Sequence, residues 1–269
     1  MNIKFCIPRG GNDDEKFRIF AEPSMKKLGV QCLQVFDKDP TKPESIFKKY
    51  NASIEALIQG GLADDDIICF THSDVGIIDN LFREKIKLLF QEKNDVAVVG
   101  IAGAVEITER LGWWMNTPLT IDINGTQSGA LVGHLIQGKD GGGQGEGFHL
   151  IKGPIGYFDN LVAIDGCIMI TQGRFIKEGL KFDDQTFTDG NDFYDIDICM
   201  KALDMGYRVA CADILIYHES SGMGVFNDAW KANKEIFFKK WQDKGYKLPF
   251  TSDQFKKKEI SSEIVEIQI

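Results

Sequence analysis

Four short apolar runs in the first hundred residues constrain this chain more than any other feature: Ile3 to Ile7, Val30 to Phe36, Ile67 to Thr71 and Val96 to Ile101. Each has the length of a buried strand, and polar, helix-spaced segments separate them. Ser45 to Gly60 places Ile46, Phe47, Tyr50, Ile54, Leu57 and Ile58 on one helical face and closes at Gly60-Gly61. Leu81 to Gln91 has the same character, as does the stretch up to Leu28-Gly29, which Pro23 must begin or break. Alternation of this kind predicts parallel strands with right-handed crossovers, an α/β fold with a doubly wound, mainly parallel central sheet flanked by helices. Ligands of such sheets gather outside the carboxyl ends of the strands. Pro8-Arg9, Asp37 and His72-Ser73-Asp74 each fall just after a predicted strand, so three strand ends carry polar groups to one edge.

Beyond residue 102 the pattern changes. Residues 103–150 are rich in Gly and hold Trp113, Trp114 and a Gly-rich stretch from Gln137 to Gly147. That stretch lacks the GK[S/T] of a phosphate loop and follows no strand, so it reads as a mobile loop or a lid over a ligand. Regular elements resume with Leu161 to Ile164, which leads into Asp165-Gly166. A helix is expected from Phe193 to Met205, then strands at Tyr207 to Ala210 and Ile214 to Tyr217, the second ending in His218-Glu219. Phe226 to Trp241 reads as an amphipathic helix burying Trp230, Phe237, Phe238 and Trp241, and the tail after Pro249 as polar and loosely attached.

Net charge decides which partners to set aside. At −9, the chain lacks the basic footprint that DNA or RNA would need, so no nucleic-acid partner is expected. Any phosphate must be held locally, by a metal, a helix end or a few basic side chains. The six cysteines form no CxxC pair and sit mostly in apolar runs, which favours reduced thiols and a cytoplasmic location. The N-terminus reads as a strand rather than a leader. The longest apolar stretch, Val96 to Val105, is too short and Gly-rich to span a bilayer, so membrane contact would be peripheral, at the inner face.

Three clusters carry chemistry. Asp74, at the rim of a buried strand, can hold Mn²⁺ or Mg²⁺ against a diphosphate, although a His and an Asp in that place also suit a capped turn. The segment Asp189 to Asp197 holds four carboxylates, where helix capping needs one. The helix N-terminus is expected to keep Asp195 ionised, as a general base requires. His218, at another strand end, is placed where a second metal ligand would be wanted.

In order along the chain these pieces resemble the GT-A-fold glycosyltransferases, similar to glycosyltransferase family 2 and especially its bacterial glycosyltransferase-like branch. Tyr50-Asn51-Ala52-Ser53-Ile54 resembles that branch's YN-x-x-I helix, and Phe70-Thr71-His72-Ser73-Asp74-Val75 its HxD version of the DxD motif. Gly100 to Gly103 with Gly112-Trp113-Trp114, then Asp165-Gly166 and Gly179 to Asp183, also match. Phe193-Tyr194-Asp195-Ile196-Asp197, Gly206-Tyr207 and His218-Glu219-Ser220 are similar to its ED-x-D block and following His.

The resemblance implies a metal-dependent transferase moving sugar from a nucleotide-diphosphate donor, uridine-linked by family habit, to a glycan, lipid-linked glycan or protein. Asp74 would coordinate Mn²⁺ or Mg²⁺ with His218, and Asp195 would be the catalytic base of an inverting reaction. Asp37, Pro8 and Arg9 would meet the base, and Asn51, His72 and Ser73 would complete the nucleotide side. Trp113 or Trp114, Asp165, Gly166 and Asp197 would face the sugars. Residues 1–225 would form the catalytic domain, with a nucleotide-binding half at 1–101 and an acceptor and catalytic half at 102–225. Residues 226–269 would add the C-terminal helix and tail. Two positions depart from the pattern: His72 stands for the first Asp of DxD, and Tyr194 for the Glu of the ED pair. A non-catalytic nucleotide-binding protein of the same fold, or a metal-dependent hydrolase built on His72, Asp74 and His218, are the competing readings.

Overall fold

The computed structural model describes residues 1–10, 13–39, 41–111, 120–121, 127–128, 131–133, 135–138, 157–188, 190–219 and 226–255. Trp113, Trp114 and the Gly-rich stretch 139–147 lie outside them. The N-terminal part contains β1 (Ile3–Pro8), α1 (Asp13–Lys16), a π-helical turn (Phe17–Ala21), α2 (Glu22–Leu28), β2 (Gln31–Val35) and α3 (Ile46–Gln59). It continues with β3 (Ile67–Thr71), β4 (Val75–Ile77), α4 (Phe82–Glu92) and β5 (Val96–Gly100). Short strands follow: β6 (Ala102–Ala104), β7 (Glu106–Ile107), β8 (Thr120–Ile121), β9 (Gln127–Ser128), β10 (Leu131–Gly133), β11 (Leu135–Gln137), β12 (Tyr157–Phe158) and β13 (Ala163–Ile164). The remainder is β14 (Ile168–Gln172), α5 (Gly173–Lys177), α6 (Tyr194–Asp204), β15 (Arg208–Ala212), β16 (Ile216–His218), α7 (Asp228–Asp243) and β17 (Phe250–Thr251).

Seven strands form the main sheet in the order β12-β15-β5-β14-β3-β1-β2. The pairs β1–β2, β1–β3 and β5–β15 are parallel, as the alternation predicts. The sequence of β14 was not among the expected strands, and it makes the sheet mixed. It inserts antiparallel between β3 and β5, while β12 adds an antiparallel edge. All five residues of each of β3, β5 and β14 are buried, which is why these strands read as unbroken apolar runs with no alternation. Because β14 runs against its neighbours, the Asp165-Gly166-Cys167 turn that leads into it reaches the edge where β3 ends. Thr71 pairs with Ile168, and the His72 amide donates to the Cys167 carbonyl at 3.0 Å. A smaller sheet, β11-β16-β4, sets His218 opposite Val75, one residue beyond Asp74.

Two residues expected at the ligand lie inside the fold. Asn51, on α3, makes a closed pair of hydrogen bonds with the Phe182 backbone, donating to its carbonyl at 2.9 Å and accepting from its amide at 3.1 Å. Both ends of the amide are used, so Asn51 ties α3 to the 180s segment and does not reach a nucleotide. Asp197 is 1% exposed and faces α7. Lys240 reaches its two oxygens at 2.7 and 2.8 Å, and the Trp241 indole N–H donates to it at 2.9 Å. A buried carboxylate needs such partners, and burial against α7 keeps Asp197 from facing a sugar.

The segment after Pro249 also differs from the expected loose tail as far as Phe255. Phe250 pairs with Ile107 across β17 and β7, and Phe250 and Phe255 are both buried in the core that holds Phe237 and Trp241. Two aromatics in an otherwise polar stretch were enough to dock it. Residues 256–269 lie outside the described residues.

The Asp197–Lys240 pair gives a direct test of this packing. Burial holds the Asp197 carboxyl above the usual carboxylate range even though Lys240 pulls it down. Lys240→Met leaves that carboxylate uncompensated and should cost about 3 kcal/mol in urea unfolding at pH 8. The deficit should narrow toward pH 5, where Asp197 can take a proton. An equal loss at both pH values would show that lost packing, not unpaired charge, is responsible.

Candidate active site

The site is a cavity of about 290 Å³ at the carboxyl edge of the sheet, lined by residues that include Pro8, Arg9, Lys49, His72, Ser73, Asp74 and Tyr194. Pro8 and Arg9 come from the end of β1, and His72 to Asp74 from the turn between β3 and β4. Tyr194 opens α6. Elements distant in sequence meet here because strand ends of a wound sheet share one rim.

At one end of the cavity the imidazoles of His72 and His218 and the carboxylate of Asp74 bring one ligand atom each within 4.8 Å of one another. The positions are fixed by backbone. Glu219 donates its amide to the Asp74 carbonyl at 3.0 Å, so β16 and the β3–β4 turn are stitched side by side. His218 Nε2 stands 3.6 Å from Asp74 Oδ1. Asp74 Oδ1 and His218 Nδ1 are both buried without a hydrogen-bond partner. Orphaned polar atoms of this kind are rare in folded proteins, and here they leave coordinating capacity for a water or an ion. Asp165, Cys167 and His218 form a second set within the same span. Lys16, on α1, reaches Asp74 Oδ2 at 3.4 Å and the Glu219 carbonyl at 3.3 Å.

The other end is held by charge pairs. Asp37, expected at the base, is bound at 2.7 Å to Lys49, which also donates to the Arg9 carbonyl at 2.9 Å. Burial opposes ionisation, yet Lys49 and the Glu44 amide hold the Asp37 carboxyl below the usual range. A side chain at Gly10 would collide with this pair, so the glycine is what lets the chain pass over it. Asp37 therefore orders Lys49 and is not itself among the cavity-lining residues. The Arg9 guanidinium lies over the Phe17 ring at 4.1 Å and bonds Gln34 at 2.9 Å and Asp14.

Asp195 lies behind Tyr194 in the first turn of α6. Its oxygens accept from the amides of Gly166 at 3.1 Å and Ile196 at 2.8 Å. The helix N-terminus does not keep it at an ordinary carboxylate pKa. Burial and the neighbouring Asp165 outweigh the backbone donors and push the carboxyl up to about 7. Asp165 turns one oxygen to the Cys167 amide at 2.8 Å. Gly166 has no side chain because the Tyr194 ring and hydroxyl occupy the space where one would stand. The structure thus brings together Pro8, Arg9, His72, Ser73, Asp74, Asp165, Gly166, Asp195 and His218, and sets Asn51, Asp197 and the Asp37 carboxylate apart.

Lys16, Lys49 and Tyr194 were not singled out for the site from sequence. Lys49 lies within the amphipathic pattern of α3, which gives no sign that a lysine is turned inward. Tyr194 stood out only as a departure from a motif. Its hydroxyl is 2.5 Å from His72 Nε2. Burial and the His218 imidazole pull the pKa of His72 below its ordinary value, against the attraction of Asp74.

Against known proteins, the chain matches the glycosyltransferase-like family over residues 31–241. No curated protein matches it. Among solved structures it is similar to A197 from STIV, at 13% identity and a TM-score of 0.43, with 82% of this chain and 87% of that one covered. It is also similar to a glycosyltransferase involved in the glycosylation of the major capsid of PBCV-1, at 7% identity and a TM-score of 0.38, covering 88% and 100%. At these scores neither likeness carries weight beside the family match. That match takes in most of the chain, including the β3–β4 turn, the Asp165-Gly166 turn, α6 and His218, and the chain belongs to the glycosyltransferase-like family of glycosyl-transferring enzymes.

Proposed function

We propose that this enzyme is metal-dependent and moves a sugar from a nucleoside-diphosphate sugar, with uridine diphosphate the first nucleotide to test, to a hydroxyl acceptor with inversion. The observation that carries the reading is the pair of orphaned atoms, Asp74 Oδ1 and His218 Nδ1, beside the cavity and next to His72. A mixed imidazole and carboxylate set suits a divalent first-row ion, and favours Mn²⁺ over Mg²⁺, which prefers oxygen alone. Asp74 and His218 would hold the ion. Bound there, it would neutralise the diphosphate and stabilise charge on the departing nucleoside diphosphate.

The chain's own residues supply the rest. Pro8, Arg9 and Lys49 line the nucleoside end, and Ser73 the passage toward the phosphates. Lys16 adds a positive charge beside Asp74. Asp195 takes the proton of the acceptor hydroxyl, and a carboxyl poised near 7 does this well because it is neither fully ionised nor a strong acid at working pH. Inversion follows if Asp195 acts as base and not as nucleophile. Asp165 and Gly166 adjoin Asp195 and would stand on the sugar side. No helix among the described residues is long and apolar enough to cross a membrane, and all six cysteines are free. A cytoplasmic enzyme that meets a glycan, protein or lipid-linked acceptor at the inner membrane face accords with both.

Calorimetry with UDP, GDP, ADP and CMP, with and without Mn²⁺, tests donor and metal together. One nucleotide should bind in a Mn²⁺-dependent way and at least about tenfold more weakly in Asp74→Ala. Binding indifferent to both Mn²⁺ and the substitution would refute metal dependence.

Asp195→Asn separates chemistry from folding. Its kcat should fall by about 10²–10⁴ with donor affinity unchanged. Wild-type kcat/KM should decline as pH drops through about 7, where Asp195 gains its proton. The folded pKa lies above the unfolded one, so ionising Asp195 penalises the native state progressively as pH rises from about 4 to 7. Asp195→Asn should therefore be more stable than wild type at pH 8, on the order of 2 kcal/mol, and match it near pH 4. A variant less stable than wild type at pH 8 would show a structural role.

A further inference from the structure

The two positions that depart from the family pattern, His72 and Tyr194, touch each other, and the contact decides which nitrogen of His72 is free. We propose that Tyr194 is a positioning residue. Its hydroxyl oxygen accepts the Nε2–H of His72, which fixes the tautomer that leaves Nδ1 with a lone pair for the divalent ion. This rests on the metal-dependent reading above, and adds His72 to Asp74 and His218 as a third ligand.

The geometry supports this from several sides. Tyr194 Oη and His72 Nε2 are 2.5 Å apart, so Nε2 is committed to the tyrosine. With Nε2 taken, Nδ1 is the nitrogen left for an ion, and one ring nitrogen of His72 lies within 4.8 Å of ligand atoms of Asp74 and His218. A metal-bound histidine commonly gives its second ring N–H to an acceptor, which orients the ring and fixes its proton. The His72 backbone is pinned independently by the Cys167 carbonyl, so only the ring is left to be oriented. Its ring lies 6.0 Å from that of Tyr194 and 5.6 Å from that of His218.

Tyr194 has little freedom to do anything else. It is 7% exposed, sits 6.0 Å from the Tyr50 ring and 6.2 Å from the Phe47 ring, and uses the space that Gly166 leaves open. A neutral acceptor orients an imidazole without adding a further negative charge beside Asp165 and Asp195. A glutamate in the same place would add one.

The test uses the full chain in three variants: Tyr194→Phe, His72→Ala and the double substitution. Phenylalanine keeps the ring and should keep the melting temperature. In wild type without metal, the ¹⁵N resonances of His72 should report the Nε2–H tautomer, and Tyr194→Phe should shift them toward a mixture. Mn²⁺ affinity, read from the free-ion electron paramagnetic resonance signal, should weaken about 10–100-fold in Tyr194→Phe. It should fall no further when Tyr194→Phe is added to His72→Ala, since the tyrosine acts only through that ring. An Nδ1–H tautomer in wild type, unchanged affinity in Tyr194→Phe, or an equal loss in the His72→Ala background would each overturn the proposal while leaving Mn²⁺ binding by wild type intact. Wild type that binds no Mn²⁺ would overturn metal dependence and this inference together.

Discussion

Strand β14 runs against β3 and β5, and for that reason its first residue lies where theirs are last. In a wholly parallel sheet the turn before each strand falls on the edge opposite the site. Reversing one central strand brings the Asp165-Gly166-Cys167 turn onto the functional edge and locks it there through the β3–β14 ladder. Much of the site leans on that turn. The Cys167 carbonyl holds the His72 backbone and the Gly166 amide holds Asp195. The bare α-carbon of Gly166 makes room for the Tyr194 hydroxyl. One reversed strand thus sets the mutual positions of the candidate base, the tyrosine and the first residue of the His72-Ser73-Asp74 turn.

The site is dominated by acidic groups and is balanced unevenly. At the Pro8-Arg9 end, Asp37 is neutralised by Lys49 at 2.7 Å. At the other end Asp74, Asp165 and Asp195 gather, and Lys16 stands 3.4 Å from Asp74. The excess has two consequences with one cause. Asp195 is pushed up to about 7 by burial and by Asp165, and Asp74 keeps an oxygen without a partner. A carboxylate cluster in a confined space either takes up protons or takes up a cation. Asp195 shows the first response, and the proposed metal site at Asp74 would be the second.

Much of this was legible in the sequence, and the rest was hidden for physical reasons. Strand and helix periods report burial, so β1, β2, β3, β5, α3, α4, α6 and α7 could all be read to within a few residues. Periodicity carries no direction and no neighbour, so nothing in the run from Ile168 to Gln172 announces an antiparallel strand between β3 and β5. Polar residues were harder. Asn51 and Asp197 have the residue types of ligand contacts, but their partners lie far along the chain, at Phe182 and at Lys240 with Trp241. A side chain's chemistry shows in the sequence, whereas whether that chemistry is already spent depends on tertiary contacts. Tyr194 is the converse case, a residue that broke a motif and whose purpose became visible only beside His72.

Helix α6 shows how the packing and the site depend on each other. Asp195 and Asp197 are two residues apart, about 200° around a helix, and so face nearly opposite ways. One turns to the Gly166 amide. The other turns to Lys240 and Trp241 on α7. Ahead of them Phe193 takes a left-handed backbone, with φ of 69°, and is held there by Trp230 and Phe237 of α7 at 5.4 and 5.9 Å between ring centres. A non-glycine residue holds that conformation only where its surroundings impose it. The C-terminal helix therefore fixes the start of α6, which carries the candidate base, from behind. It clamps the residue before Tyr194 with aromatic rings and the residue after Ile196 with a buried charge pair. The aromatic pattern of Phe226 to Trp241, far from any motif in sequence, belongs to the machinery that aims Asp195.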